Sequence, residues 1–183
     1  MDNGQGIQVH DKRFEPYISA ERLHARIREM AAELDKRLGA ADRPLFLAIL
    51  NGAFVFAADL FRALTIPAEI SFIKLVSYKG TRSTGQVITA IGLDMDLFDR
   101  TVVIVEDIVD TGNTLHAFLP QLEHRHPRAL LTVSLLMKPD AAVHPVPVDI
   151  YGFSIPNVFV VGYGLDYDGL GRNLPAIYRE TVS

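Results

Sequence analysis

The chain has 183 residues, of which 49% are hydrophobic and 22% charged, with a formal net charge of -4 and no cysteine. A chain of this length makes one domain and buries roughly 70% of the surface it exposes when unfolded, so it needs no disulfide or structural metal. The acidic balance argues against nucleic acid as a partner, no apolar run is long enough to span a membrane, and the missing cysteines exclude thiol nucleophiles, zinc ribbons and iron–sulfur clusters while fitting a reducing, cytoplasmic setting.

Residues 1–18 read as a polar, irregular segment in which Phe14 and Tyr17 tuck against the body. Their start, MDNGQGIQVHDKRFEPY, has no apolar core of the kind a signal peptide needs. From Ser19 the pattern turns helical, with Leu23, Ile27, Met30, Ala31, Leu34 and Leu38 at spacings of three and four, Ser19 as N-cap and Gly39 as the stop. Leu45–Leu50 reads as a buried strand, the Asn51-Gly52 pair as a tight turn, and Ala53–Leu64 as a second helix. A strand over Glu69–Val76 leads into the polar, basic stretch Ser77–Gln86, and Val87–Leu93 is the next apolar run. A turn over Asp94–Arg100 precedes a strand over Thr101–Val105, then a helix that reaches His124. Ala129–Met137, Asp149–Phe153 and Val158–Val161 complete the strands. Strands alternating with helices, and apolar runs without polar alternation, predict an α/β fold around a parallel sheet covered on both faces.

The segment VVIVEDIVDTGNT is the most informative in the chain. A buried strand over Val102–Val105 gives way to Glu106, Asp107 and then Asp110, followed by the loop Thr111-Gly112-Asn113-Thr114 that opens a helix. Ligands of open parallel sheets sit beyond the carboxyl ends of the strands, and loop amides ahead of a helix bind phosphate. Thr111 and Thr114 add hydroxyl donors, and Gly112 lets backbone approach closely. The loop is neither a GxGxxG turn nor a lysine-bearing P-loop, so dinucleotide and NTPase readings gain little.

VVIVEDIVDTGNTL closely resembles the phosphoribosyl-diphosphate signature of type I phosphoribosyltransferases, in the wording of the hypoxanthine-guanine enzymes. Three further segments agree in order: LNGAFVFAADL resembles the pyrophosphate loop and its helix, SYKGTRSTGQV the mobile flap, and Lys138 with FVVGYGLDYDGLGRNLP the purine-binding hood. The resemblance implies a single domain over residues 1–183, with a core at about 44–137 and a hood at about 138–183 joined by the N-terminal segment. It implies purine salvage: hypoxanthine, and guanine with it, joined to phosphoribosyl diphosphate to give the nucleoside monophosphate and pyrophosphate. Mg²⁺ is the implied cofactor, because an acidic protein that binds a pyrophosphate needs a cation between them.

Residue by residue, the resemblance puts Glu106 and Asp107 on the ribose hydroxyls and near a metal, and Asp166 at a second metal position. It makes Asp110 the general base for purine N7, with a purely orienting role as the alternative. Thr111, Gly112, Asn113 and Thr114 clamp the 5′-phosphate. Lys138 donates to purine O6, Phe159 stacks on the base, and the Val160 carbonyl reads the purine edge. Arg172, Gly52 and Asn51 face the pyrophosphate, and Ser77 and Tyr78 mark the flap. Many members carry a lysine where this chain has Asn51, which brings no positive charge. Lys79 and Arg82 read equally as solubility charges or as steering charges on the flap. A preference for xanthine and guanine is the nearest alternative, and a non-catalytic nucleotide sensor the more distant one. The family is generally dimeric or tetrameric, with the helix after the pyrophosphate loop as a candidate contact.

Other features carry less. Asp94-Met95-Asp96 reads as a solvated turn rather than a metal motif, and His124 and His126 as helix-end charges. Pro120 falls inside the helix after the phosphate loop, where it removes the bond to the His116 carbonyl at a cost of about 3 kcal/mol unless the helix curves or ends early.

Overall fold

The computed structural model describes residues 6–39, 42–77 and 87–181. The flap segment Tyr78–Gln86 lies outside the described residues, and of Ser77 only its place at the end of a strand is described.

A six-stranded sheet carries the body of the protein. Its strands are β3 (Leu45–Leu50), β4 (Glu69–Ser77), β5 (Val87–Ile91), β6 (Thr101–Val109), β7 (Ala129–Met137) and β8 (Ile150–Ser154), in the spatial order β5-β4-β3-β6-β7-β8. Neighbouring pairs are parallel except β4 with β5. β3 shows why its sequence has no polar alternation. Phe46 and Ala48 join the core beneath α1 (Ala20–Leu38) and α2 (Phe54–Ala63), whereas Leu45, Leu47 and Ile49 join the core with Leu115, Phe118 and Leu122 of α3 (Asn113–Glu123). Both faces are therefore dry. Arg26 of α1 donates to the Tyr151 and Gly152 carbonyls of β8, at 2.8 and 3.1 Å, and covers that edge.

The first helix matches its sequence signals from cap to cap: Ser19 accepts from Arg22 N–H at its start, and Gly39 stands past its end at φ +65°. Three expectations need correction. The N-terminal segment is not irregular, because β1 (Ile7–Val9) and β2 (Lys12–Ile18) pair with β10 (Ile177–Glu180) and β9 (Val160–Val161) in a second, antiparallel sheet of order β1-β2-β10-β9. These strands are short and mixed in polarity, and Pro16 sits in β2 where the register against β10 shifts. Second, β6 runs on to Val109, so Glu106 and Asp107 lie inside the strand rather than after it, with Glu106 paired to Ser134 of β7. Third, β8 lies beyond residue 137 yet belongs to the larger sheet. Pro120 neither ends α3 nor sits far from its end, since His124 N–H closes on the Pro120 carbonyl at 3.1 Å. Asp96 accepts from Phe98 N–H, a local turn bond that fits the solvated-turn reading of 94–96.

A partly buried polar contact ties the loop after β9 to α2. Tyr163, 2% exposed, donates its hydroxyl to Asp59 of α2, whose carboxylate also lies 3.6 Å from His24 Nε2 of α1. Burial, and then the Asp59 carboxylate, raise the Tyr163 pKa, so the phenol keeps its proton and stays a donor. Hydrogen bonds to charged groups contribute about 1.5–3 kcal/mol, so Tyr163→Phe is expected to lower stability by about that amount in urea denaturation. Adding Asp59→Asn to Tyr163→Phe is expected to cost clearly less than the sum of the two single changes.

Candidate active site

The carboxyl end of β6 gathers the acids. Glu106 is 7% exposed, and its Oε2 has no hydrogen-bond partner. Burial, with the Asp107 charge beside it, holds its carboxyl well above the usual range. Asp107 is raised to about 6, chiefly by burial; its own and the Ile108 amide and the Arg172 guanidinium oppose that shift, and Asp166 adds to it. Asp107, Asp166 and Arg172 therefore lie within each other's fields, although Arg172 and Asp166 come from a different loop of the chain.

Gly52 explains how tightly this end is built. A Cβ on Gly52 would lie 1.5 Å from Asp107 Oδ2, so the carboxylate occupies the space a side chain would need. Gly164, at φ +100°, likewise brings its Cα against the Gly52 carbonyl, 2.1 Å from where its own Cβ would stand. Arg172 completes the group by donating to the Gly164 carbonyl at 2.7 Å and pairing with Asp166 at 2.6 Å. The other Asp166 oxygen accepts from Gly169 N–H at 2.7 Å. Asn51 is exposed at the head of this turn, after a cis Leu50–Asn51 peptide.

The loop after β6 forms a small pocket lined by Glu106 and by Asp110 through Leu115. Gly112 stands at φ +78° as the N-cap of α3, and His144 O lies 2.1 Å from the position of any Cβ there, so only glycine fits. Val143 and His144 N–H both donate to the Thr111 carbonyl and fasten the loop from behind. The first helical bond is His116 N–H to Gly112 O at 2.9 Å, which leaves the earlier amides of the helix end facing outward, Asn113 N–H with a long 3.4 Å contact to Thr111 Oγ1. With exposed Asn113 and Thr114, that end is built for an anion.

Asp110 and Lys138 meet at the ends of adjacent parallel strands. Lys138 N–H donates to the Val109 carbonyl, and its Nζ lies 2.8 Å from Asp110 Oδ2. The lysine side chain is 6% exposed and the aspartate 43%, so a buried cation is neutralised by a carboxylate that still reaches solvent. Phe159 is 38% exposed, and the next residue, Val160, is buried in β9. Sequence reasoning missed the Tyr163–Asp59 tether and the segment around His144, because neither has a local pattern.

Residues 19–168 match the phosphoribosyl transferase domain family. The chain belongs to that family. It is 44% identical over 176 residues to the hypoxanthine-guanine phosphoribosyltransferase of Mycobacterium avium, a match covering 89% of this chain and 87% of that one. It is 42% identical over 162 residues to the hypoxanthine phosphoribosyltransferase of Buchnera aphidicola, covering 87% and 92%. Among solved structures, a Trypanosoma cruzi hypoxanthine phosphoribosyltransferase mutant in a ternary substrates complex superposes with a TM-score of 0.86 at 35% identity, covering 91% of this chain and 94% of that one. The fold is that of a type I phosphoribosyltransferase, with helices on both faces of five parallel strands.

The raised acids predict a pH effect. A carboxyl whose folded pKa lies above its unfolded value holds a proton in the native state that the unfolded chain has lost, so native stability falls as pH rises between the two values. For Asp107 that window runs from 3.8 to about 6. Replacing it by Asn removes the penalty. In the metal-free protein, the Tm of Asp107→Asn relative to the wild type is expected to rise as pH goes from about 4 to 7, read by thermal melts across that range.

Proposed function

We propose that this chain transfers the phosphoribosyl group of phosphoribosyl diphosphate to a 6-oxopurine, hypoxanthine and guanine, in purine salvage. The observation that carries the reading is the Asp110–Lys138 pair, 2.8 Å apart at the ends of β6 and β7. Purine O6 and N7 are neighbours on one edge of the base. An ammonium and a carboxylate side by side match them: Lys138 donates to O6, and Asp110 takes the N7 proton as N9 attacks C1′ and the bond from C1′ to pyrophosphate breaks. Adenine presents an amino donor in place of O6 and leaves the Lys138 N–H that faces it unmet, which costs about 1–3 kcal/mol.

The remaining assignments are those the family resemblance implies. The outward amides of the α3 end, with Thr111, Gly112, Asn113 and Thr114, hold the 5′-phosphate. Glu106 and Asp107 take the ribose hydroxyls, and Asn51, Gly52 and Arg172 face the pyrophosphate. Phe159 supports the base and the Val160 carbonyl reads its edge. The chain beyond β8, which carries β9 and β10, acts with the N-terminal strands as the hood over the larger sheet.

Among the described residues no cluster of three or more His, Cys, Asp or Glu side chains is placed to hold a metal alone. Mg²⁺ is commonly held by one or two carboxylates plus substrate phosphates and waters. Glu106, whose Oε2 has no partner, and Asp107 would hold one ion, and Asp166, paired here with Arg172, would meet a second at the pyrophosphate. When bound, the ion offsets the charge of the leaving diphosphate. No helix among the described residues is long and apolar enough to cross a membrane. We assign the protein to the cytoplasm and to a homodimer or homotetramer, with α2 and its exposed Phe54 as the contact.

The test is nucleotide formation from hypoxanthine, guanine, xanthine and adenine in parallel, with Mg²⁺ and with excess chelator. Hypoxanthine and guanine are expected to react and adenine to fail, and chelator to abolish turnover; full turnover in chelator contradicts the metal assignment. Asp110→Asn is expected to lower kcat by about 10²–10⁴, the span of a positioned base, with little change in phosphoribosyl-diphosphate affinity. Lys138→Ala is expected to raise the purine KM and erode discrimination against adenine. Near wild-type kcat in the first and unchanged selectivity in the second would remove both assignments.

A further inference from the structure

The N-terminal hairpin supplies a set of contacts that none of the assignments above uses. Lys12 Nζ lies 5.4 Å from the centroid of the Phe159 ring and 5.6 Å from that of Tyr167, and it is clamped 2.5 Å from Glu180 Oε1 of β10. The two rings meet edge to face at 5.5 Å, and the fully buried Phe14 of β2 packs on Phe159 at 5.9 Å. The turn of the hairpin holds the same platform from its other end. Asp11 accepts from the Tyr167 hydroxyl at 2.7 Å, and His10 meets the Tyr167 ring edge to face at 5.4 Å. Tyr167 directly follows Asp166, so one clasp reaches both the aromatic support and the loop bearing that acid. Phe159 nevertheless keeps 38% of its surface open. A surface aromatic backed on several sides yet left open is held in a fixed orientation for something that lands on it.

We propose that Lys12, anchored by Glu180, is a positioning residue for purine binding: with Phe14 it fixes Phe159 and Tyr167 as a preformed stacking platform. This rests on the reading that Phe159 supports the base. Lys12 does not touch the base in this account. Its cation–π contacts with two rings lock the platform before the base arrives, so their loss adds a cost to base binding alone.

The test compares Lys12→Met, which keeps the stem and loses the charge, with Lys12→Arg and Phe159→Ala, each by steady-state kinetics with both substrates and by thermal melting. Lys12→Met is expected to raise the purine KM about 3–10-fold, with phosphoribosyl-diphosphate KM, kcat and Tm near wild type, and Lys12→Arg to restore the purine KM. Phe159→Ala is expected to raise the purine KM further. An unchanged purine KM in Lys12→Met beside a raised one in Phe159→Ala overturns the role of Lys12 and leaves the platform standing. Equal rises for both substrates, a lowered Tm, or no recovery in Lys12→Arg also overturn it, because each points to a general structural role. An unchanged purine KM in Phe159→Ala removes the platform itself, and the proposal with it.

Discussion

A buried and a half-buried carboxylate at the end of one strand set the conditions for everything around them. Glu106 and Asp107 sit inside β6, where burial resists their ionisation, and Asp107 fills the space of a missing side chain on Gly52. An isolated buried carboxylate is costly, so such groups persist only where a partner compensates. Here Arg172 lowers the cost for Asp107, while Glu106 keeps one oxygen unpartnered. The site in its free form therefore carries unspent affinity for cations and hydroxyl donors. The substrate proposed above, a sugar diphosphate with a divalent ion, would supply both.

The rest of the architecture holds that strand end in place. α1 and α2 cover one face of the sheet and α3 the other, so the register of β6 against β3 and β7 is fixed by packing on both sides. The turn after β3 presses Gly52 against Asp107, and Gly164 presses on Gly52 in turn. Tyr163, next to Gly164, is bonded to Asp59 of α2, so the loop from the smaller sheet is tied to the helix that starts at the same turn. The turn after β3, the acids of β6 and the loop after β9 are thus mechanically linked through two glycines and one buried hydroxyl.

Much of this was legible in the sequence where the signal is local. The cap-to-cap reading of Ser19–Gly39 and the strand Ala129–Met137 match the structure because periodicity and caps operate within a few residues. The loop that opens α3 was legible because Gly112 and the hydroxyls of Thr111 and Thr114 come directly after an apolar strand. The second sheet was not, because β2 pairs with β10 across nearly the whole chain and neither has an apolar run. The end of β6 was placed too early for a related reason: charge in Glu106 and Asp107 looks like a loop, whereas β7 continues to pair beside it. Lys12, Asp11 and Tyr163 carried no local signal at all, since their partners lie over a hundred residues away.

The account's central claim is that Asp110 and Lys138 read the N7–O6 edge of the base. Its most direct test is equilibrium binding of hypoxanthine and of its analogue with carbon in place of N7, measured by calorimetry with Mg²⁺ and a non-hydrolysable phosphoribosyl diphosphate analogue. Loss of a hydrogen bond to a charged group costs about 1.5–3 kcal/mol, so the analogue should bind roughly 10–100-fold more weakly to the wild type. In Asp110→Ala that difference should largely disappear. Equal affinity of the wild type for the two bases would place the N7 edge away from Asp110 and contradict the account.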